Sequence, residues 1–245
     1  MKAPKTLIPG DLISIVAPAK SIDAAFIEYS KAVIEKRGYK VLLSNHCLGR
    51  YNYYSGTDEE RLLDFQEAIN NPDVKAILCA RGGYGSVRIF EELDWGEFAH
   101  NPKWILGFSD ITVFHHLINS IGVQSIHSSM PLNFRENTQD AIATLFSALN
   151  GSLYKLQIEP SKKNINGSAK GDLIGGNLSI IYSLLASEYQ YDYQNKILFI
   201  EDLCEQYYHV DRMIYALKHA GIFKEIRGLI IGGMSDMKDT EVPFG

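Results

Sequence analysis

The chain has 245 residues, 46% of them hydrophobic, and a formal net charge of −5, which suits one large or two modest globular domains with ample core. No basic stripe interrupts this acidic balance, so nucleic acid is excluded as the expected partner. No stretch reaches the about 18 consecutive apolar residues of a membrane span, so no membrane partner is expected. The first ten residues lack the apolar centre of a secretory signal. Cys47, Cys79 and Cys204 are scattered, without C-x-x-C spacing, and read as reduced thiols of a cytoplasmic protein. Cys79 and Cys204 lie in or beside apolar runs, which suggests packing.

The short apolar run within Asp11–Ala19, stopped by Pro18, reads as a buried first strand and its exit loop. Ser21 to Arg37 has helical spacing, with Phe26, Tyr29, Val33 and Ile34 on one side and Gly38 closing it. Tyr39–Leu43 is a second strand. Thr57-Asp58-Glu59-Glu60 is a capping box that opens a helix over Asp58–Asn70, stopped by Asn71-Pro72. Further strands are expected at Val74–Ala80, Lys103–Phe108 and Val123–His127. Strands alternating with helices predict an α/β fold, a doubly wound, mostly parallel sheet, with ligands beyond the carboxyl ends of its strands. The polar stretches after Ala148 mark a junction. We therefore expect an N-terminal domain over residues 1–150, a linker over 151–170 and a second unit over 171–245. That unit contains Gly171–Asn177, a helix over Leu178–Ser187, a strand over Lys196–Ile200, a helix around Val210–Ala220 and a strand over Gly228–Ile231.

The stretch Trp104–Thr112 concentrates the chemical signals. An apolar strand runs through Gly107 into Ser109, and a helical pattern begins at Asp110. A serine at such a corner can present its hydroxyl where the first helical N–H groups converge, as a nucleophile does; the alternative is that Ser109 or Asp110 merely caps the helix. Gly107-Phe108-Ser109-Asp110-Ile111 departs from the Gly-x-Ser-x-Gly elbow in having Ile111 last. The loop Arg81-Gly82-Gly83-Tyr84-Gly85-Ser86 directly follows the third strand. It is neither a P-loop nor a dinucleotide fingerprint. It reads as a tight loop, an anion cradle, or a set of glycine N–H groups facing Ser109 as an oxyanion site.

Leu198-Phe199-Ile200-Glu201-Asp202 places two carboxylates at the end of an apolar strand, where one can orient a histidine or simply cap a helix. Glu205 is a nearby competitor. His46 and His100 lie in polar loops and read as solvated. His115 and His116 ride the helix after Ser109 and point along it, away from a productive contact. His219 sits beside a helix end, and His209 lies across a loop from Glu201. His127, at a strand end, is the internal candidate for a base, with a helper or packing role as the alternative. No spacing of histidines and cysteines fits zinc, and no metal or organic cofactor is implied.

Taken together, Arg81–Gly85, Gly107–Thr112, Ile126-His127, Gly175-Gly176-Asn177-Leu178 and Glu201-Asp202…Glu205…Asp211-Arg212 resemble the LD-carboxypeptidase family of serine peptidases. The resemblance implies a doubly wound N-terminal domain joined to a smaller, β-rich C-terminal domain, with the site between them, and suggests a homodimer. It implies cleavage of an L-to-D peptide bond that releases terminal D-alanine from a cytoplasmic murein tetrapeptide during wall recycling. Within the same family, a self-immunity peptidase acting on a peptidyl-nucleotide antibiotic is the alternative. Outside it, the alternative is an inactive module that binds murein peptides. Carried over, Ser109 is the nucleophile, Glu201 orients the base, and the Gly82–Gly83 region with the N–H of Asp110 makes the oxyanion site. Our own addition is Arg81 as a holder of the substrate carboxylate. The family's base is a histidine in a Gly-His element well downstream of Glu201, and no such element occurs before Gly245. We therefore expect the C-terminal domain to be incomplete within these residues and residues 1–245 alone to be nearly inactive, a loss on the order of 10⁶ in rate.

Overall fold

The computed structural model describes residues 1–152 and 155–244, and the chain divides into two compact units, residues 1–154 and 155–245. Five strands make the sheet of the first unit: β1 (Leu12–Val16), β2 (Lys40–Leu43), β3 (Val74–Cys79), β4 (Trp104–Gly107) and β5 (Ile126–His127). Their order is β2-β1-β3-β4-β5, and every pairing is parallel. Strand order therefore reverses between β1 and β3, which makes the loops after these two strands the switch point of a doubly wound sheet.

The inner strands are apolar runs because both of their faces are covered. Ile13, Ile15, Ala76, Leu78 and Leu106 form one core with Ile27 and Ile34 of α1 (Ala24–Glu35) and Leu145 and Phe146 of α5 (Gln139–Leu149). On α2 (Asp58–Asn70), Phe65 stacks on Phe114 of α4 (Thr112–Ser120) at 4.4 Å between ring centroids, and α2 packs on β1 and β3 while α4 packs on β4. The capping box of α2 forms as expected: Glu60 N–H donates to Thr57 Oγ1 at 3.2 Å and Thr57 N–H to Glu60 Oε2 at 2.9 Å. Between β3 and β4 lies a short helix, α3 (Gly96–His100), which has no clear periodic signature in the sequence.

The smaller unit holds a three-stranded parallel sheet, β6 (Leu173–Asn177), β7 (Ile197–Leu203) and β8 (Gly228–Ser235), in the order β6-β7-β8. Helices α6 (Leu178–Ser183), α7 (Tyr207–His219) and α8 (Ile222–Glu225) complete it. Leu198 and Ile200 bury one face of β7 with Leu178, Ile181, Met213 and Leu217. Residues 155–172 carry no helix or strand. Among the described residues no helix is long and apolar enough to cross a membrane. Cys47 and Cys79 are buried free thiols; Cys204, expected in packing, is instead exposed in a left-handed turn after β7, with φ 63°.

Candidate active site

Strand β4 ends at Gly107 and the chain turns through Phe108 into Ser109, which adopts φ +60°. A non-glycine residue in this left-handed region is strained, and such strain persists where the surroundings impose it. Here the helix does not begin at Asp110: Ser109–Ile111 form a single 3-10 turn, and α4 follows from Thr112. The N-cap position of this turn is Phe108, not Ser109, and Ser109 is only partly buried. The corner is tight because Gly107 has no side chain. A Cβ there would meet Ile111 Cγ1 at 2.8 Å. Ile111, the departure from the Gly-x-Ser-x-Gly pattern, thus fills the space that the bare Gly107 leaves.

Gly107 is also held from the side. Its carbonyl accepts the Ser128 N–H at 3.0 Å and the Nε2–H of His115 at 2.9 Å, while His115 Nδ1 meets Ser125 Oγ at 2.8 Å. A carbonyl can only accept, so Nε2 carries the proton and Nδ1 accepts from the serine hydroxyl. Burial lowers the pKa of His115 from 6.5 to about 4, so the ring is neutral at pH 7. His115 is thus not clear of the corner, as its place on the helix suggests. The turn and α4 bring its ring back over Gly107, a contact that a linear reading does not show.

The glycine loop comes to Ser109 from β3, the neighbouring strand. A Cβ on Gly82 would stand 3.2 Å from Ser109 Cβ and 3.4 Å from the Asp110 nitrogen. Gly83, at φ +116°, turns its open side elsewhere: a Cβ there would stand 2.8 Å from Tyr53 Oη and 3.0 Å from Lys20 Cβ. Arg81 is partly buried and donates through Nη1 to the Ser21 carbonyl at 3.2 Å. The Asp110 side chain is buried, and its Oδ2 accepts the Ser86 N–H at 2.9 Å. Burial raises its pKa, opposed by the Ser86 hydrogen bonds, Arg61 and Gly85.

The two carboxylates of β7 have different environments. They stand within the strand, which runs on to Leu203, and successive side chains face opposite ways. Asp202 is buried on the core face. It accepts from Asn177 Nδ2 at 2.9 Å and from the Ser179 N–H at 2.9 Å, while Asn177 Oδ1 caps α6 through the Ile180 N–H. Asp202 thus takes the helix-capping role. Glu201 lies on the other face, partly buried, near Gly232, whose Cβ would stand 3.3 Å from Glu201 Cβ. Burial pushes the pKa of Glu201 up to about 7, with the charge of Asp202 adding and a hydrogen bond from Asn177 opposing.

His127 lines a cavity of about 370 Å³ with Phe108, Ser129, Asn133, Asn137 and Leu145, among others; Ser109 and Gly82 do not line it. His127 is exposed at the end of β5, and desolvation by the groups around it, with His115 adding, lowers its pKa to about 3. That is too weak a base for work near pH 7. His46, expected in solvent, instead meets Asp64 Oδ1 through Nδ1 at 2.8 Å, and His209 of α7 pairs with Glu205, in the loop before that helix. Among the described residues, no group of three or more His, Cys, Asp or Glu could hold a metal ion.

Residues 13–128 match the LD-carboxypeptidase N-terminal domain and residues 170–243 the LD-carboxypeptidase C-terminal domain. A murein tetrapeptide carboxypeptidase of Pseudomonas aeruginosa is 30% identical over 242 residues, covering 94% of this chain and 78% of its own. The microcin C7 self-immunity protein of Escherichia coli is 27% identical over 235 residues, covering 81% of this chain and 67% of its own. The crystal structure of a muramoyltetrapeptide carboxypeptidase from Oxalobacter formigenes superposes with a TM-score of 0.83 at 28% identity, covering 94% of this chain and 79% of that one. With both domain models matched in order and the serine corner built as described, this chain belongs to the LD-carboxypeptidase family of serine peptidases.

Proposed function

We propose that the protein is a serine carboxypeptidase that hydrolyses an L-to-D peptide bond and releases terminal D-alanine from murein tetrapeptide in the cytoplasm. The observation that carries this reading is Ser109 at φ +60° at the carboxyl end of β4, with Gly82 and the Asp110 nitrogen packed beside it. In this reading Ser109 Oγ attacks the carbonyl carbon before D-alanine and passes its proton to a histidine base oriented by Glu201. The carbonyl oxygen takes the negative charge and is received by the Asp110 N–H and the Gly82–Gly83 loop. Collapse breaks the C–N bond, the base returns the proton to the leaving amine, and water then hydrolyses the acyl-enzyme. Arg81 holds the substrate carboxylate.

Glu201 supports its assignment by lying on the face of β7 opposite Asp202, which the cap of α6 occupies. None of His46, His115, His127 and His209 is assigned as the base, since each is committed to another partner or is too weakly basic. The family resemblance keeps a second substrate in view, a peptidyl-nucleotide, and a self-immunity protein is among the relatives. The test is to incubate the full-length protein and its Ser109→Ala variant with a murein tetrapeptide and with an aminoacyl-nucleotide, and to follow free D-alanine or free amino acid by mass spectrometry. D-alanine from the parent alone supports the reading. Turnover of the nucleotide conjugate alone moves the assignment to the self-immunity type, and peptide binding without turnover moves it to a binding module.

A further inference from the structure

Arg61, on α2, is a buried cation in the core of the first unit, 1% exposed. Its Nη1 donates to the Gly85 carbonyl at 3.0 Å and to the Pro18 carbonyl, and its Nη2 donates to Asp58. Asp58 is gripped from its other side by Arg88, through Nε at 2.8 Å. The Arg61 guanidinium also lies over the Tyr54 ring, 4.7 Å from its centroid. Gly85, at φ +141°, seats closely on this cation: a Cβ there would stand 2.9 Å from Nη1 and 3.1 Å from Tyr54.

The Gly85 carbonyl and the Ser86 N–H belong to one peptide group. Arg61 holds the carbonyl end, and the Asp110 carboxylate, from the residue after the nucleophile, holds the N–H end at 2.9 Å. Rotating that peptide plane by half a turn would aim the carbonyl at a carboxylate and the N–H at a guanidinium, repulsive at both ends. Charge-assisted bonds at each end therefore admit one orientation. Three residues upstream, Gly82 lies against Ser109 and the Asp110 nitrogen. The same cation also fixes the chain after β1 at Pro18, so it ties together both loops at the point where the sheet order reverses.

We propose that Arg61 and the Asp110 carboxylate act as two jaws that lock the Gly85–Ser86 peptide, and that Arg61 is thereby a positioning residue for the glycine loop facing Ser109. The catalytic consequence rests on the peptidase reading above; the lock itself does not. Arg61→Lys keeps the charge next to Asp58 but cannot serve two carbonyls and a carboxylate from one planar fork.

The test compares parent and Arg61→Lys full-length protein by hydrogen exchange and by kinetics normalised to titrated active serine. We expect amide exchange over residues 82–86 to rise by about tenfold or more while the β1 and β3 amides hold. We expect kcat per active site to fall about 10- to 100-fold with KM within about threefold, as for a displaced oxyanion donor. A purely structural Arg61 would lower the titrated fraction and leave kcat per site unchanged, and that result, or unchanged exchange over 82–86, overturns the proposal. If Arg61→Lys does not fold, Asp110→Ala, which removes the acceptor of the Ser86 N–H, opens the other jaw with Arg61 in place and is expected to raise the same exchange. A parent protein without D-alanine release would defeat the peptidase reading, while the exchange arm would still decide the lock.

Discussion

Glu201→Gln is expected to separate stability from activity. The folded chain holds this carboxyl partly buried on the open face of β7, with its pKa raised from 4.5 to about 7, burial being the larger cause and Asp202 the second. A raised carboxylate pKa means that the folded state binds more protons than the unfolded chain between these two values. Stability from this group is therefore intact below about pH 4.5 and is lost as pH rises through the window to about 7. At about 1.4 kcal/mol for each pH unit of that window, the ionised group costs the fold up to about 3 kcal/mol at pH 8, less what solvent screening at its open edge removes. Glutamine has the same shape and no charge, so the variant escapes this cost. In urea denaturation followed by far-UV circular dichroism, the stability difference between the Glu201→Gln variant and the parent should be about 1 kcal/mol or less at pH 5 and widen by about 2 kcal/mol at pH 8. Trp95 and Trp104 both lie in the first unit, so their fluorescence provides a local control. Activity should collapse in the same variant, since a site that needs a buried carboxylate retains it at the expense of stability. A difference that does not grow between pH 5 and pH 8, or a variant less stable than the parent at pH 8, would refute the reasoning.

Further predictions concern the serine corner. Ser109→Gly should be more stable than Ser109→Ala by about 1 kcal/mol, because only glycine adopts φ +60° without strain; equal melting temperatures would contradict the strained corner. Gly82→Ala places a methyl 3.2 Å from Ser109 Cβ, and kcat should fall about 10- to 1,000-fold with the fold retained, as when an oxyanion donor is displaced. Full activity in that variant would separate the glycine loop from the chemistry. His115, its pKa lowered from 6.5 to about 4 by burial, contributes stability that is present above pH 6.5 and is lost as pH falls towards 4. His115→Gln should cost about 1 kcal/mol at pH 7 but soften the acid loss, read from urea midpoints at pH 7 and pH 5; a parallel loss in both proteins would rule this out.

Elements that announce themselves locally were the ones legible in the residues. The Thr57–Glu60 capping box and Asn71-Pro72 give the boundaries of α2, and buried apolar runs give β1, β3 and β4. Strands that bury both faces show little alternation, which is why the parallel doubly wound sheet could be read before its order was known. Short α3 and α8 carry too few turns for a periodic signal. At the site, the strand–serine–helix pattern pointed to Ser109, and a glycine loop after the neighbouring strand pointed to Gly82. The return of His115 to Gly107, the grip of Arg61 on Gly85 and the capping role of Asp202 depend on residues 8, 24 and 23 positions away. Such contacts are set by topology, and one-dimensional spacing does not carry them.

In the proposed reaction Ser109 forms a covalent acyl-enzyme at this corner. Full-length protein mixed with murein tetrapeptide and quenched in acid within milliseconds can be digested and weighed. The peptide containing Ser109 is expected to gain the mass of the acyl tripeptide while one equivalent of D-alanine appears, and Ser109→Ala is expected to show neither. D-alanine released with no adduct at Ser109 at any quench time, or released equally by Ser109→Ala, would contradict it.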